Sequence, residues 1–109
     1  MFQRSTAHAK AQTLVAKMTL EEKMSQLVYG APAIARLGIP AYNWWNEGLH
    51  GVARAGVATS FPQAIALAAM FDREELKAVS RATAIEGRAK YNEFSKHNDR
   101  DIYKGLTFF

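Results

Sequence analysis

The chain has 109 residues and a net charge of +4, and 49% of its residues are hydrophobic. This length suffices for one small domain but not for two, and the composition excludes a disordered or low-complexity chain. No apolar run is long enough to span a membrane, and the absence of cysteine excludes disulfides and thiolate metal sites.

The excess of basic residues does not indicate a nucleic-acid-binding protein. Lysines and arginines are spread along the chain, and several lie beside acids, as in EEK, DREELK and DRDIYK. No basic stripe interleaved with aromatic residues is visible, and phosphate-loop, dinucleotide and metal-ligand motifs are absent. We therefore expect no nucleic acid, membrane or cofactor as a partner, and the sequence leaves the oligomeric state open.

The cellular location is predicted only from the start of the chain. MFQRSTAHAKAQ lacks the apolar core of a secretory signal and carries no lipidation motif. Together with the absence of cysteine, this favours the cytoplasm. A secreted or periplasmic location is expected instead if a leader precedes this sequence.

Residues 1–40 are predicted to hold two helices and a loop. Apolar residues recur at helical spacing over about residues 5–17, which predicts the first helix. Thr19 and Glu22 form a capping box that begins a second, short helix, and Gly30 ends it.

The rest of the chain predicts strands on either side of a helical region. AYNWWNE, residues 41–47, is predicted as the first strand because aromatic residues favour a pleated, half-buried surface. Residues 60–94 carry helical spacing in two pieces, the first capped by Ser60 or Thr59. LTFF, residues 106–109, opens a second strand, and this order is typical of a βαβ unit and of the α/β fold class. The apolar positions of the second helical piece are Leu76, Val79, Ala82, Ile85 and Ala89.

Glu47 is the candidate binding residue. It follows the predicted first strand, and in parallel α/β folds ligands bind at the carboxyl ends of strands. A carboxylate beside tryptophans suits a sugar, because the acid accepts hydrogen bonds from hydroxyls while an indole ring packs on C–H faces. The alternative is a buried Glu47 that is paired with Arg54 or His50 and is only structural.

The other acids have simpler explanations. Several lie in the first turns of predicted helices, where the helix dipole favours them. Glu86 and Glu93 belong to a helix with basic neighbours. Asp99 and Asp101 lie in a polar loop, and their spacing alone is too weak to predict a calcium site.

Four sequence blocks in a fixed order carry a resemblance to a known family. They are LVAKMTLEEKMSQL, APAIARLGIPAYNWWNEGLHGVARAGVATSFPQAIALAAMFD, EGRAKYNEF and YKGLTFF, and they extend from about Ala11 to Phe109. Together they resemble the N-terminal segment of glycoside hydrolase family three, above all its β-xylosidase and β-glucosidase-like bacterial members.

The resemblance implies a fold and an activity for a longer parent protein. Its first domain is expected to be a (β/α)8 TIM-type barrel, of which this chain holds the opening, incomplete portion. The implied activity is that of a retaining exo-glycosidase, which removes β-linked xylose or glucose from the non-reducing ends of oligosaccharides. The family's nucleophilic aspartate and acid/base glutamate have no counterpart here. We therefore expect no catalytic residue in this chain and no activity of the chain alone.

The resemblance also implies which residues bind the substrate. Glu47 falls on the position whose carboxylate holds sugar hydroxyls in subsite −1, and Trp45 and Asn46 adjoin it and are expected to shape the pocket. Glucosidases of the family commonly carry an aspartate where Glu47 stands. The extra methylene implies a preference for a pentose such as xylose over a hexose.

A second interpretation is a small non-catalytic binding or interaction module. It requires the chain to fold alone around a closed core. An isolated pair of strands leaves unpaired edges and exposed apolar helix faces, which disfavours this interpretation.

Overall fold

The structure, a computed structural model, describes residues 4–108, and the chain divides into two compact units between Tyr42 and Asn43. Within this range, no helix is long and apolar enough to cross a membrane. The helices are α1 (Arg4–Lys17), α2 (Leu20–Ser25), α3 (Ala64–Ala69) and α4 (Arg73–Lys96), and the strands β1 (Gly30–Ala31) and β2 (Tyr42–Asn43) form a two-stranded sheet. This mixture of helices with a small sheet is consistent with part of an α/β protein.

The first unit begins with two helices at the predicted places, but α2 ends at Ser25, short of the predicted end at Gly30. α1 covers the predicted segment, and α2 follows Thr19. The Thr19 hydroxyl accepts the Glu22 amide at 3.2 Å, and the Glu22 carboxylate accepts the Thr19 amide at 2.9 Å, so the capping box is confirmed. The same carboxylate accepts a hydrogen bond from Arg36 Nε at 2.8 Å, which fixes the 3₁₀ turn at Ala35–Leu37 to the start of α2.

The first strand is shorter than predicted, because β2 holds only Tyr42–Asn43 of the expected residues 41–47. The Asn43 side chain accounts for the interruption. Its Oδ1 accepts the Trp45 amide at 3.0 Å, a local bond that competes with pairing along a strand. Pairing resumes at Asn46, which forms a parallel bridge with Phe108.

Residues 106 and 107 are not in a strand, and Phe108, in that single bridge, is the only described residue that pairs in the second predicted strand, residues 106–109. Phe109, at its end, lies outside the described residues. Two parallel segments of one chain need a long crossover, and here the crossover contains α3 and α4. The second unit therefore agrees with the predicted βαβ order only in having a parallel bridge between segments on either side of a helical crossover.

The start of α3 differs from the prediction. Gln63 precedes its first residue and makes no side-chain capping bond, so neither Thr59 nor Ser60 caps this helix. The reason is that the Thr59 hydroxyl bonds to the Glu86 carboxylate at 2.6 Å instead.

The long helix α4 is capped by the side chain of Asp72, which precedes its first residue. Asp72 Oδ1 accepts the amides of Glu74 and Glu75 at 3.0 and 3.1 Å. These bonds satisfy amide groups that have no partner within the helix. α4 continues to Lys96, two residues beyond the predicted end.

The packed face of α4 is smaller and more polar than its apolar spacing suggests. Ile85 is 60% exposed, Leu76 is 42% exposed and Ala89 is also exposed, so these three apolar positions are not buried in the core. Gly87 is buried instead, and a Cβ added there would lie 2.8 Å from Cζ of Phe108 and 3.7 Å from a methyl of Val52. Because Gly87 has no side chain, α4 can approach Phe108 and Val52 closely at this point.

Replacing Gly51 tests how closely the loop after β2 packs against itself. Its φ is +130°, and a Cβ added there would lie 2.2 Å from the Thr59 carbonyl oxygen. Because backbone strain and overlap act together, we expect Gly51→Ala to lower the free energy of unfolding by about 2 kcal/mol or more. Urea unfolding followed by circular dichroism measures the change.

The matched control is Gly30→Ala, because a Cβ at Gly30 meets no atom within 4 Å. This variant should change the free energy of unfolding by less than about 0.5 kcal/mol. Equal unfolding midpoints for the two variants would contradict the close approach at Gly51.

Candidate functional site

Glu47 lines an open cleft of about 410 Å³ in the second unit. Two segments of the loop after β2 form the rest of the lining, residues 49–53 and 56–60. The lining is mostly small and apolar, and Glu47 contributes its carboxylate. Such a cleft with a few polar groups is the usual form of a small-molecule site.

The Glu47 carboxylate is half-buried and loosely held. Its side chain is 37% exposed, and Oε2 lies 3.5 Å from Nε of Arg54, whose side chain is 65% exposed. An exposed ion pair of this kind contributes about 0–1 kcal/mol to stability. Each carboxylate oxygen has two lone pairs, so the group can accept further hydrogen bonds from a ligand.

Trp45 lies directly beside this carboxylate. Its indole Nε1 donates a hydrogen bond to Glu47 Oε1 at 3.3 Å, and the residue is 41% exposed. The Trp45 carbonyl oxygen accepts the Tyr103 amide at 3.0 Å, which ties this segment to the end of the chain. The acid and the indole ring that the sequence singles out are therefore in contact.

Asn46 faces the interior rather than the cleft. It has no exposed surface, and its Oδ1 accepts the Gly105 amide at 2.9 Å. Its Nδ2 lies 3.5 Å from the Asn43 carbonyl oxygen. Asn46 therefore contributes to the site by holding two segments together, and Glu47 follows it directly.

His50, the other partner considered for Glu47, bonds to the far end of the loop. Its Nδ1 lies 2.8 Å from the Phe61 carbonyl oxygen, and its own carbonyl oxygen accepts the Phe61 amide at 2.7 Å. Since a carbonyl only accepts, Nδ1 carries the proton. Arg54, and not His50, is thus the ion partner of Glu47.

Tyr103 is a neighbour of the site that sequence reasoning missed. The Arg54 guanidinium lies 5.5 Å from the centre of the Tyr103 ring, within range of a cation–π interaction. Arg54 Nη1 also lies 3.5 Å from the Tyr103 hydroxyl. The two residues are 49 positions apart, so no local pattern could have indicated the contact.

Glu86 and Lys90 are the second pair that sequence reasoning missed. The Glu86 carboxylate accepts the Thr59 amide at 3.0 Å and the Thr59 hydroxyl at 2.6 Å. Lys90 Nζ donates to the carbonyl oxygens of Ala55 at 2.8 Å and Val57 at 2.6 Å. Both residues of α4 therefore contact the loop that lines the cleft.

The contacts of Glu86 favour its charged form. The hydrogen bonds from the Thr59 hydroxyl and amide hold the pKa of Glu86 below its ordinary value, and nearby Lys90 lowers it further. A carboxyl with a lowered pKa stabilises the folded state above its unfolded pKa, about 4.3 for glutamate. That contribution is lost as the pH falls through the lowered pKa of the folded state.

Metal ligation has no support in the geometry. Within residues 4–108, no three His, Cys, Asp or Glu side chains lie close enough together to hold a metal ion. Asp99 is paired with Lys104 at 2.6 Å, so this polar loop has an ion pair of its own.

Replacing Asn46 tests the tie beneath the site. Asn46→Ala leaves the buried Gly105 amide without its acceptor, and a buried unsatisfied donor costs about 1–3 kcal/mol. We expect a loss of that size in urea unfolding. The control is Asn92→Ala on the exposed side of α4, which should change stability by less than about 0.5 kcal/mol. Similar losses for both variants would contradict the role of Asn46.

Comparisons with known proteins give a consistent set of relatives. No protein-family model matches the chain. A probable β-D-xylosidase of Arabidopsis thaliana is 48% identical, over 76% of this chain and 12% of that protein. Probable exo-1,4-β-xylosidases of Aspergillus fumigatus and Neosartorya fischeri are 50% and 48% identical, each over 73% of this chain and 12% of the relative.

The matched region is a large share of this chain and a small share of each relative. The chain spans about 12% of the length of the relatives it matches. Identity near one half over most of this chain is too high to arise from shared composition. The chain is therefore related to proteins named β-xylosidases, as its resemblance to glycoside hydrolase family three predicts.

Proposed function

We propose that this chain forms part of the sugar-binding subsite of a retaining exo-glycosidase that removes β-linked xylose from the non-reducing ends of oligosaccharides. One observation carries the proposal: Glu47 lines a cleft, its side chain is partly exposed, and its carboxylate accepts a hydrogen bond from the indole of Trp45, which lies beside that cleft. The names of the relatives, exo-1,4-β-xylosidases among them, support xylose as the sugar.

The chemistry of the pair fits a sugar. A pyranose presents hydroxyl donors at its edge and C–H groups on its faces. Glu47 accepts hydrogen bonds from two adjacent hydroxyls, while the Trp45 ring covers a C–H face. The residue Trp45 is 41% exposed.

The fold proposed for the whole protein is a (β/α)8 barrel. The parallel bridge between Asn46 and Phe108, with helices in the crossover, supports neighbouring strands of such a barrel. Glu47 directly follows the bridged residue. In barrels of this kind, ligands bind at the carboxyl ends of the strands.

The role assigned to this chain is binding and not bond cleavage. Retaining hydrolysis needs a nucleophilic carboxylate and an acid/base carboxyl group about 5–5.5 Å apart across the scissile bond. We assign Glu47 to the sugar hydroxyls and neither of those two groups to this chain. The chain alone should therefore bind xylose without releasing para-nitrophenol from a nitrophenyl xyloside.

Glu47→Gln tests the binding role. The substitution keeps the size of the side chain but removes its charge, and hydrogen bonds to a charged group are about twice as strong as neutral ones. We expect the affinity for xylose to fall about tenfold, measured by NMR titration of the chain. Glu93→Gln, at an exposed acid paired with Lys96 on α4, is the control and should leave the affinity unchanged. Unchanged xylose binding by Glu47→Gln would remove the basis of the proposal.

Shortening the side chain of Glu47 tests the sugar preference. The assay protein is the probable exo-1,4-β-xylosidase of Aspergillus fumigatus in which this chain replaces the matching segment. We expect a higher kcat/KM for para-nitrophenyl β-xyloside than for the glucoside. Glu47→Asp makes room for a hydroxymethyl group, so the ratio of the two kcat/KM values should fall about tenfold or more.

Glu93→Asp is the control for that ratio, because it shortens an exposed acid of α4 by the same methylene. It should leave the ratio as it is. A clear preference of the unmodified chimaera for the glucoside would refute xylose as the substrate.

A further inference from the structure

The loop of residues 54–60 connects the cleft to α4. Residues 56–60 line the cleft, and three residues of the loop bond to side chains of α4. The loop has one glycine, and apart from Arg54 and Val57 its other side chains are small, so few of them can hold its shape. Its shape therefore depends on the groups that bind its backbone.

Lys90 holds the first half of the loop through two carbonyl groups. Its ammonium donates to the Ala55 and Val57 carbonyl oxygens at 2.8 and 2.6 Å. Hydrogen bonds from a charged donor are shorter and stronger than neutral ones. One cation thus fixes two alternate peptide groups, which sets the path of the backbone between them.

Glu86 holds the second half of the loop through a single residue. Its two carboxylate oxygens accept the Thr59 amide and the Thr59 hydroxyl, at 3.0 and 2.6 Å. Glu86 and Lys90 are four positions apart and so lie on one face of α4. On this face, Glu86 accepts hydrogen bonds from the loop and Lys90 donates hydrogen bonds to it.

The same loop reaches the carboxylate of the site. Arg54 pairs with Glu47 and immediately precedes Ala55, the first residue that Lys90 holds. The φ of Arg54 is +60°, in the left-handed region, which an arginine keeps only where neighbouring contacts enforce it. The Ala53 amide also donates to the Glu47 carbonyl oxygen at 2.9 Å. The contact with Lys90 therefore lies next to the backbone that presents Arg54 to Glu47.

We propose that Glu86 and Lys90 are positioning residues for sugar recognition, which fix the loop of residues 54–60 as the wall of the Glu47 cleft. The inference rests on the proposed function, since the ligand is the xylose unit bound at Glu47. Neither residue touches the sugar. They act through the loop backbone and through Arg54.

The test uses Glu86→Gln and Lys90→Met in the whole chain, with two readouts. The first is hydrogen exchange of the loop amides by NMR, above all of the Thr59 amide that Glu86 binds. We expect exchange there to quicken about tenfold, while the amides in the middle of α4 keep their rates. The second is the xylose affinity, which should fall about three- to tenfold in both variants.

Matched controls lie one to two turns further along the same helix. Glu93 and Lys96 form an exposed ion pair at 2.8 Å, so Glu93→Gln and Lys96→Met remove the same charges without touching the loop. These controls should leave loop exchange and xylose affinity at their original values. Thr59→Ser keeps the hydroxyl and should preserve the exchange rates of the loop amides, whereas Thr59→Val should raise them as Glu86→Gln does.

The outcomes separate this inference from the proposed function. Unchanged loop exchange in Glu86→Gln and Lys90→Met overturns the positioning role, whatever the sugar affinity. Faster loop exchange with unchanged xylose affinity also overturns it, because the loop then does not govern recognition. Absence of xylose binding to the unmodified chain overturns the proposed function, and with it the role of the pair in sugar recognition.

Discussion

The second unit depends on the buried side chain of Asn46. Its Oδ1 accepts the Gly105 amide, and its backbone forms the parallel bridge with Phe108, so one residue joins both ends of the crossover. Because a buried acceptor is costly to leave without its donor, this bond fixes where the returning chain lies. Glu47 is the next residue, and its position at the cleft follows from the position of Asn46.

Polar contacts hold much of the rest of the second unit in place. Its buried apolar residues include only short or medium side chains, those of Val52, Ala55 and Leu67. The loop of residues 54–60 is held by charged groups of α4 at 2.6–3.0 Å. A loop held by a few specific bonds has a defined shape, which a sugar-binding wall requires.

Local features of the fold could be predicted where the interacting groups are close in sequence. The predicted capping box joins Thr19 and Glu22, three positions apart, and the structure has it. The prediction of a strand over residues 41–47 failed in length because the Asn43 side chain binds a nearby amide, a competitor that aromatic β-propensity does not include. The exposed Ile85 shows the same limit, since helical spacing does not say which neighbour a face will meet.

The sequence by itself indicated the candidate residues, the presence of the helices and the relationship to β-xylosidases, because each depends on residues adjacent in the chain or on blocks in order. Trp45 and Glu47 are two positions apart, and their contact is local. Only the tertiary structure decided that Arg54 is the ion partner of Glu47 and that Glu86 binds Thr59, 27 positions away. The physical reason is that such partners are selected by how a helix and a loop pack together, and that packing depends on long-range fit rather than on any local periodicity.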